Sequence, residues 1–520
     1  MRTTLILFTL AFILRLAVVA WWQFDGLYGQ DAFAYYQQAE AIYHSPFISP
    51  ESGSQRNFFW PNGYPLLIAG GMFLVGVTPW AGQITNILMG AMLAPLMYSL
   101  TQTLFAGNAP PATLTRAGIL AGLIVTLTNQ LLTSSVVIMA DMAALFWAVL
   151  AVWLLVQAVR VHHSTKSQAH WLLLTCLFMF MGVTFALAVI TRWIYLLLAP
   201  ALGGYILLQF RRDKQFTWLV SLALVSATLI IMPQIWLSLH RPGSLVHSWL
   251  IGWRPYHFFQ RDFTTLDGTA HYRYPMGLFY AFPALHPTYL FPLLTPFIAW
   301  AVWRLWQSQQ YATLTLLLGW AGGVYLFLAG IPYQNMRFGL TLYPPCVILA
   351  SFGVSDLLQY SKNLTPTLSY ISPYGNNGEG AKSRLTLTFI IIISLMGMAG
   401  WSYRELNITL TNFNQSKEIA QQVNQILPPN ATLLTFGLTL TMQHYHPNHP
   451  TLDLYFYNEA YLTELLNHET QPLYLLLDIS NIETQWQSKP LAQSYHWLQR
   501  KTHLTPIATY PPYTLFQVTP

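Results

Sequence analysis

The sequence predicts an α-helical polytopic membrane protein of about eleven transmembrane helices, closed by a small C-terminal α/β domain outside the membrane. Three observations carry this. Only 8% of the 520 residues are charged, against about 25% in an ordinary soluble domain. Hydrophobic residues make up 54% and aromatics 15%. The apolar residues also fall in repeated runs of roughly 20, the length that crosses a bilayer as a helix. So few charges cannot cover a soluble globular surface, and a chain this rich in Leu, Ile, Phe and Trp is not disordered. The net charge of +6 is no sign of nucleic-acid binding, because Lys and Arg in such chains collect in cytoplasmic loops. Cys176 and Cys346 both lie in apolar runs and read as small buried hydrophobes.

The first span is 4–22. No small-residue cleavage site follows it, and Trp21-Trp22 suits an interfacial belt, so it reads as a retained helix and not as a signal peptide. An outer loop covers 23–79, and within it 64–77 is apolar but too short to span, which fits a re-entrant or interfacial helix. Further spans are expected at 80–104, 117–130, 136–157, 171–189, 193–209, 216–237, 286–305, 311–331, 338–358 and 385–402. A second outer loop covers 238–285. Lys and Arg fix the orientation. With the N-terminus cytoplasmic, the short inner loops hold eleven of them and the much longer outer loops seven. The segment 363–383, with Pro, Ser and Gly375-Asn376-Asn377-Gly378, reads as a cytoplasmic loop. Residues 1–402 form the membrane domain. From 403 the composition changes to eight acids and five bases in 118 residues. There 421–427 reads as helix and 431–436, 473–477 and 513–518 as strands. No internal repeat is visible, and neither phosphate-loop nor dinucleotide motifs occur.

Candidate chemistry collects in the outer segments. Asp31 follows the first span by eight or nine residues, at an expected helix N-cap. The helix it would cap, 32–44, carries Tyr35, Ala39 and Ile42 on one stripe and would lie on the bilayer surface. A carboxylate there can cap a helix or take a proton from an acceptor hydroxyl or amine. Asp141 stands in apolar sequence, where an acid is costly and marks either function or the partner of a buried arginine. Arg192 and Arg337 border spans on the outer side; such residues snorkel or bind a lipid phosphate through the planar guanidinium. In the second outer loop Arg254 and Arg261 suit phosphate, while His257 and His271 lack a metal-ligand spacing. Tyr35, Tyr36, Tyr64 and His257 are the expected substrate contacts. Arg15, inside the first span, needs an acid or a backbone carbonyl in the bundle.

These residues come in a recognisable order. Asp31 precedes Tyr35-Tyr36-x-x-Ala39; Phe59-Trp60-Pro61-Asn62-Gly63-Tyr64-Pro65 leads into an apolar helix; a second acid, Asp141, opens a later span; Thr191-Arg192 lies at an outer turn; and Met336-Arg337-Phe338 precedes Tyr343-Pro344-Pro345. The arrangement over 1–402 resembles the GT-C superfamily of polytopic glycosyltransferases, in particular the protein O-mannosyltransferases, the aminoarabinose transferases of lipid A and the bacterial dolichyl-phosphate-mannose mannosyltransferase-like group. The resemblance implies inverting transfer of a sugar from a polyprenyl-phosphate donor to a glycan, lipid or protein acceptor on the outer face. It assigns Asp31 and Asp141 as catalytic acids, and Arg337 and Arg192 as residues of the donor phosphate end. Many members carry a second acid directly after the first, where this chain has Ala32; that departure favours one base and no metal, and no cofactor is expected. A bacterial plasma membrane is the expected location. The rival reading, a transporter or lipid-linked-sugar flippase, would want acids deep in the spans and matching halves. Asp141 alone is a candidate for the first, and the halves do not match.

Overall fold

The computed structural model describes residues 1–45, 58, 60–164, 168–210, 216–239, 252–265, 268–369, 377–468 and 471–519. The helices of the first half are α1 (Arg2–Trp22), α2 (Gly29–His44), α3 (Gly63–Val75), α4 (Pro79–Leu104), α5 (Pro111–Leu127), α6 (Asn129–Val136), α7 (Ala140–Ser164), α8 (Gln168–Thr191), α9 (Ala199–Phe210, after a 3-10 turn Trp193–Leu198) and α10 (Phe216–Leu239). A short hairpin follows, β1 (Asp262–Thr265) against β2 (Gly268–His271). Then come α11 (Met276–Tyr280), α12 (Phe282–Leu285), α13 (Thr295–Gln307), α14 (Tyr311–Gly330), α15 (Tyr343–Ser369, after a 3-10 turn Met336–Leu342) and α16 (Asn377–Ile426).

Among the described residues nine helices are long and apolar enough to cross a membrane, or ten when the bent pair α5–α6 counts as one. The sequence suggests eleven. The difference is 286–305, where a 3-10 turn (Pro292–Leu294) leads into α13 of only 13 residues, about 20 Å of helix. The proline-rich entry at Pro287, Pro292 and Pro296 removes backbone donors that a longer helix would need. The spans differ in what surrounds them. The most apolar window of Met336–Ser361 is wholly buried by other helices, whereas those of α1 and α10 are 22% buried and turn Leu5, Ile6, Trp218 and Leu229 outward. The outward faces suit lipid. The segment 363–383 is helical at both ends, since α15 runs to Ser369 and α16 starts at Asn377; residues 370–376 lie outside the described residues.

α16 also alters the expected boundary at 402. It continues through Ile426 as one helix of 50 residues, about 75 Å long, and enters the tail domain. That domain adds β3 (Thr432–Thr435), α17 (Thr439–Tyr445), β4 (Thr451–Asp453), α18 (Glu459–His468), β5 (Leu473–Leu477), α19 (Ile479–Thr484), α20 (Pro490–Lys501), β6 (His503–Tyr510) and β7 (Tyr513–Thr519). The sheet order is β4-β3-β5-β7-β6, parallel from β4 to β5 and antiparallel through β7 and β6. The three expected strands are present. β4 and β6 are not readable from sequence: β4 has three residues, and β6 is an edge strand, mostly exposed, that carries Pro506 where an edge tolerates it.

The tail sits on the loop between α1 and α3. Lys417 Nζ lies 2.8 Å from Asp25 Oδ2, which also accepts from Tyr445 Oη at 2.7 Å. Asn414 donates to Trp22 O at 2.9 Å. The tail also grips the hairpin, where Thr269 N donates to Gln485 O at 2.8 Å and Lys489 Nζ to Thr265 O at 2.5 Å. The stripe of α2 expected on the bilayer surface is buried in protein instead. Tyr35 packs on Phe58, Trp60 and Tyr64, and Phe33 and Tyr36 pack on His444 of α17.

Candidate active site

The site begins with irregular backbone between α6 and α7. Chain that leaves a helix at membrane depth exposes polar groups that must be satisfied internally. Two amides of α4 do this: Gln83 Nε2 donates to Phe24 O and Val136 O, and Asn86 Nδ2 to Val137 O, Met139 O and Tyr64 Oη. Ile138 N donates to Gly26 O at 2.8 Å, so the loop after α1 is stitched to the same segment. Gly26 has φ +89°, and a Cβ there would stand 2.9 Å from Ile138 Cγ1, so only glycine fits. Deeper down, Arg15 is fully buried; its Nε donates to Ser135 Oγ at 2.9 Å and its Nη1 to Ala11 O at 3.0 Å. It finds a carbonyl and a hydroxyl where an acid was the other expectation.

On this frame four charges converge. Asp31 is the third residue of α2, in its first turn and not at its N-cap, which is Tyr28; the helix dipole there favours a carboxylate. Arg337 Nη2 lies 3.1 Å from Asp31 Oδ2, and its Nη1 3.8 Å from Asp141 Oδ2. Asn335 holds Arg337 from behind, as its Oδ1 accepts the backbone N–H at 3.0 Å. Asp141, in the first turn of α7 and 3% exposed, is ion-paired with Arg192, whose guanidinium lies 5.0 Å from the centre of the Phe338 ring. A buried acid and a buried arginine thus neutralise each other, and Arg337 bridges that pair to Asp31.

Asp31 and Arg337 line a cavity of about 590 Å³, together with Tyr28, Gln30, polar residues of α6, Asn335, Met336, and Trp401, Glu405 and Thr409 of α16. Burial pushes the Tyr28 phenol up, against the pull of Arg337, and raises Tyr35 likewise, so both stay protonated near neutral pH. Tyr28 therefore offers the cavity a hydrogen-bond donor and not a base.

The other sequence candidates lie elsewhere. Arg192, Asp141, Tyr35, Tyr36 and Tyr64 do not line the cavity; Tyr64 is fully buried, with its hydroxyl taken by Asn86. Arg254 and Arg261 are exposed on the hairpin side, and Arg254 Nη1 donates to Trp253 O. His257 is buried with Nδ1 2.8 Å from Gly330 O, and His271 pairs with Asp262. Aromatic and basic density in a loop is satisfied by packing and does not by itself bring the residues to a cavity.

Comparisons with known proteins fit this geometry. Residues 59–251 match the family model described as dolichyl-phosphate-mannose-protein mannosyltransferase. No curated protein gives a significant match. ArnT from Cupriavidus metallidurans superposes with a TM-score of 0.62 at 15% identity, over 97% of each chain. Its structure bound to undecaprenyl phosphate superposes equally well at 14% identity, again over 97% of each chain. The oligosaccharyltransferase of Archaeoglobus fulgidus superposes with a TM-score of 0.62 at 12% identity, over 92% of this chain and 70% of its own. The chain has the GT-C fold. The cavity contains residues not singled out from the sequence: Gln30, Glu405 and the polar face of α6. The available signal was the polar run Thr128-Asn129-Gln130 with Thr133-Ser134-Ser135, inside what otherwise reads as two spans. Glu405 was assigned to a tail domain because α16 loses its apolar pattern before it ends.

Proposed function

We propose that this chain is a membrane glycosyltransferase that moves a sugar from a polyprenyl-phosphate donor to an acceptor on the outer face of the membrane. The observation that carries the reading is the Asp31–Arg337 pair on the wall of one cavity: an acceptor for a proton beside a cation for a phosphate. In the reaction, Asp31 takes the proton of the acceptor hydroxyl or amine as that atom bonds to the anomeric carbon. The bond from carbon to phosphate oxygen breaks in the same displacement, so the configuration inverts. Polyprenyl phosphate leaves, and Arg337 stabilises the charge that grows on it. Asp141 and Arg192 act as positioning residues, since Asp141 holds Arg337 from the buried side. Support also comes from the lipid phosphate bound by ArnT and from the dolichol-phosphate in an AglB complex of A. fulgidus (TM-score 0.59, 13% identity, 92% of this chain and 70% of that one). The outer-face assignment rests on the Lys and Arg of the inner loops. The test is transfer from a labelled polyprenyl-phosphate mannose or glucose in membranes holding Asp31→Asn. Loss of about 10²-fold or more is expected for a general base; wild-type transfer would remove Asp31 from that role.

A further inference from the structure

The α5–α6 pair bends by 57°. Thr128 at the break is extended (φ −65°, ψ 124°), and its Oγ1 donates back to Ile124 O at 2.7 Å. The freed donor of Gln130 N finds Thr288 O at 3.2 Å. A break of this kind at membrane depth persists where it lines a cavity, and interrupted spans commonly form substrate sites. Here α6 turns Asn129, Gln130, Thr133 and Ser134 to the cavity wall. Asn129 is 6% exposed and its Oδ1 has no hydrogen-bond partner among the described residues; Thr133 Oγ1 also has none. Polar groups left in this state disfavour the empty site and favour a ligand that can reach them.

The charges of the same cavity are sorted. Among the described residues Arg337 is the only Lys or Arg on its wall, Asp31 and Glu405 are the only acids, and His286, which lies within electrostatic reach of Glu405, is the only histidine. Asp31 is taken by Arg337. Glu405, on α16, has no Lys or Arg within ion-pair distance among the described residues. An ionised carboxylate accepts hydrogen bonds and donates none, while the amides and hydroxyls of α6 do both. Away from Arg337 the wall therefore suits a neutral group rich in hydroxyls and opposes a second anion.

We propose that α6 and Glu405 of α16 form the subsite for the glycosyl ring of the donor, and that it selects an uncharged sugar over an acidic one. The inference rests on the polyprenyl-phosphate reading of the cavity. The ring's hydroxyls donate to Glu405 and to the side-chain oxygens of Asn129 and Thr133. A ring carboxylate meets Glu405 instead and is excluded by like charge.

The test is binding to the purified full-length protein in nanodiscs of three probes: undecaprenyl phosphate, undecaprenyl-phosphate glucose and undecaprenyl-phosphate glucuronate. Wild-type protein is expected to bind the glucose form at least about tenfold more tightly than the glucuronate form. Glu405→Gln keeps the shape of the side chain and removes its charge, so it should narrow that ratio to within about twofold and leave undecaprenyl phosphate unchanged. Asn129→Asp, which adds an anion on α6, should widen the ratio. A wild-type protein that binds both sugars equally, or a ratio that Glu405→Gln does not move, overturns the subsite. Arg337→Ala reports separately on the phosphate reading, because it should weaken all three probes alike. If it weakens none while Glu405→Gln still moves the ratio, the phosphate reading fails and the ring subsite stands.

Discussion

The two long loops, one after α1 and one after α10, carry similar chemistry in sequence and stand in different surroundings in the structure. The first, between α1 and α3, is held at several points among its described residues: Gly26 against Ile138, Asp25 against Lys417 and Tyr445, Asp31 against Arg337. Gln30, beside Asp31, donates to Gly437 O at 2.5 Å and accepts from Leu440 N at 3.0 Å. The second loop is richer in cations and aromatics, yet Arg254 and Arg261 are exposed and do not line the cavity, and the hairpin serves as a handle for the tail. The charges of the first loop are held by several partners in partly buried places, whereas Arg254 and Arg261 are exposed and lie outside the hairpin strands.

The contrast can be broken by mutation. The largest effect is expected at Arg337→Ala, with transfer reduced by about 10²–10³-fold, the range for loss of a group that stabilises a leaving charge. Radiolabel transfer in membranes reads it. Asp141→Ala comes next. It leaves Arg192 buried without its counter-charge, a loss of about 3–5 kcal/mol for a buried pair, and so a large drop in the amount of folded protein in detergent. Arg192→Met combined with Asp141→Ala should recover part of that yield, since it removes the orphaned charge.

Gln30→Ala is expected to lower kcat several-fold with KM nearly unchanged. It frees the turn that carries Asp31 from the tail without touching the cavity charges, and faster hydrogen exchange at 29–33 would accompany it. The tail contact also depends on pH. Burial lowers the pKa of His444, against Asp25 and Glu40 and with Lys417. The folded imidazole is therefore neutral, and an unfolded one titrates near 6.5. Stability from this group is present above about pH 6.5 and is lost as pH falls through the folded value. Protease cleavage between α16 and β3 should thus quicken as pH drops from 7 to 5, and less so in His444→Phe. The smallest effect belongs to the second loop: Arg254→Ala and Arg261→Ala should each stay within about twofold of wild-type transfer.

Most of the membrane architecture is legible in the sequence, because an apolar run of about 20 residues has few alternatives. Asp141 can be singled out because an acid is costly in apolar sequence, and Asp31, Arg192 and Arg337 because they stand at or near the ends of spans. Their sorting into a cavity pair and a buried pair could not be read, since it depends on where α7 and the 336–342 turn cross. α13 was overextended because hydropathy continues through Pro287 and Pro292 while the helix does not. The sequence places the connection between two spans at 131–135, whereas the chain bends at Thr128 and again leaves the helix after Val136, since Leu131 and Leu132 keep the local composition ambiguous. Glu405 was missed because α16 carries one helix from apolar into polar sequence with no cap to mark the passage.

The proposed reaction divides the labour within one ion pair, Asp31 and Arg337. The most direct measurement compares Asp31→Asn and Arg337→Ala in the same nanodiscs, scoring undecaprenyl-phosphate binding and sugar transfer side by side. Asp31→Asn is expected to bind the lipid at least as tightly as wild type while its transfer falls by about 10²-fold, whereas Arg337→Ala loses both binding and transfer. Transfer by Asp31→Asn at the wild-type rate, or unchanged lipid binding by Arg337→Ala, would contradict that division.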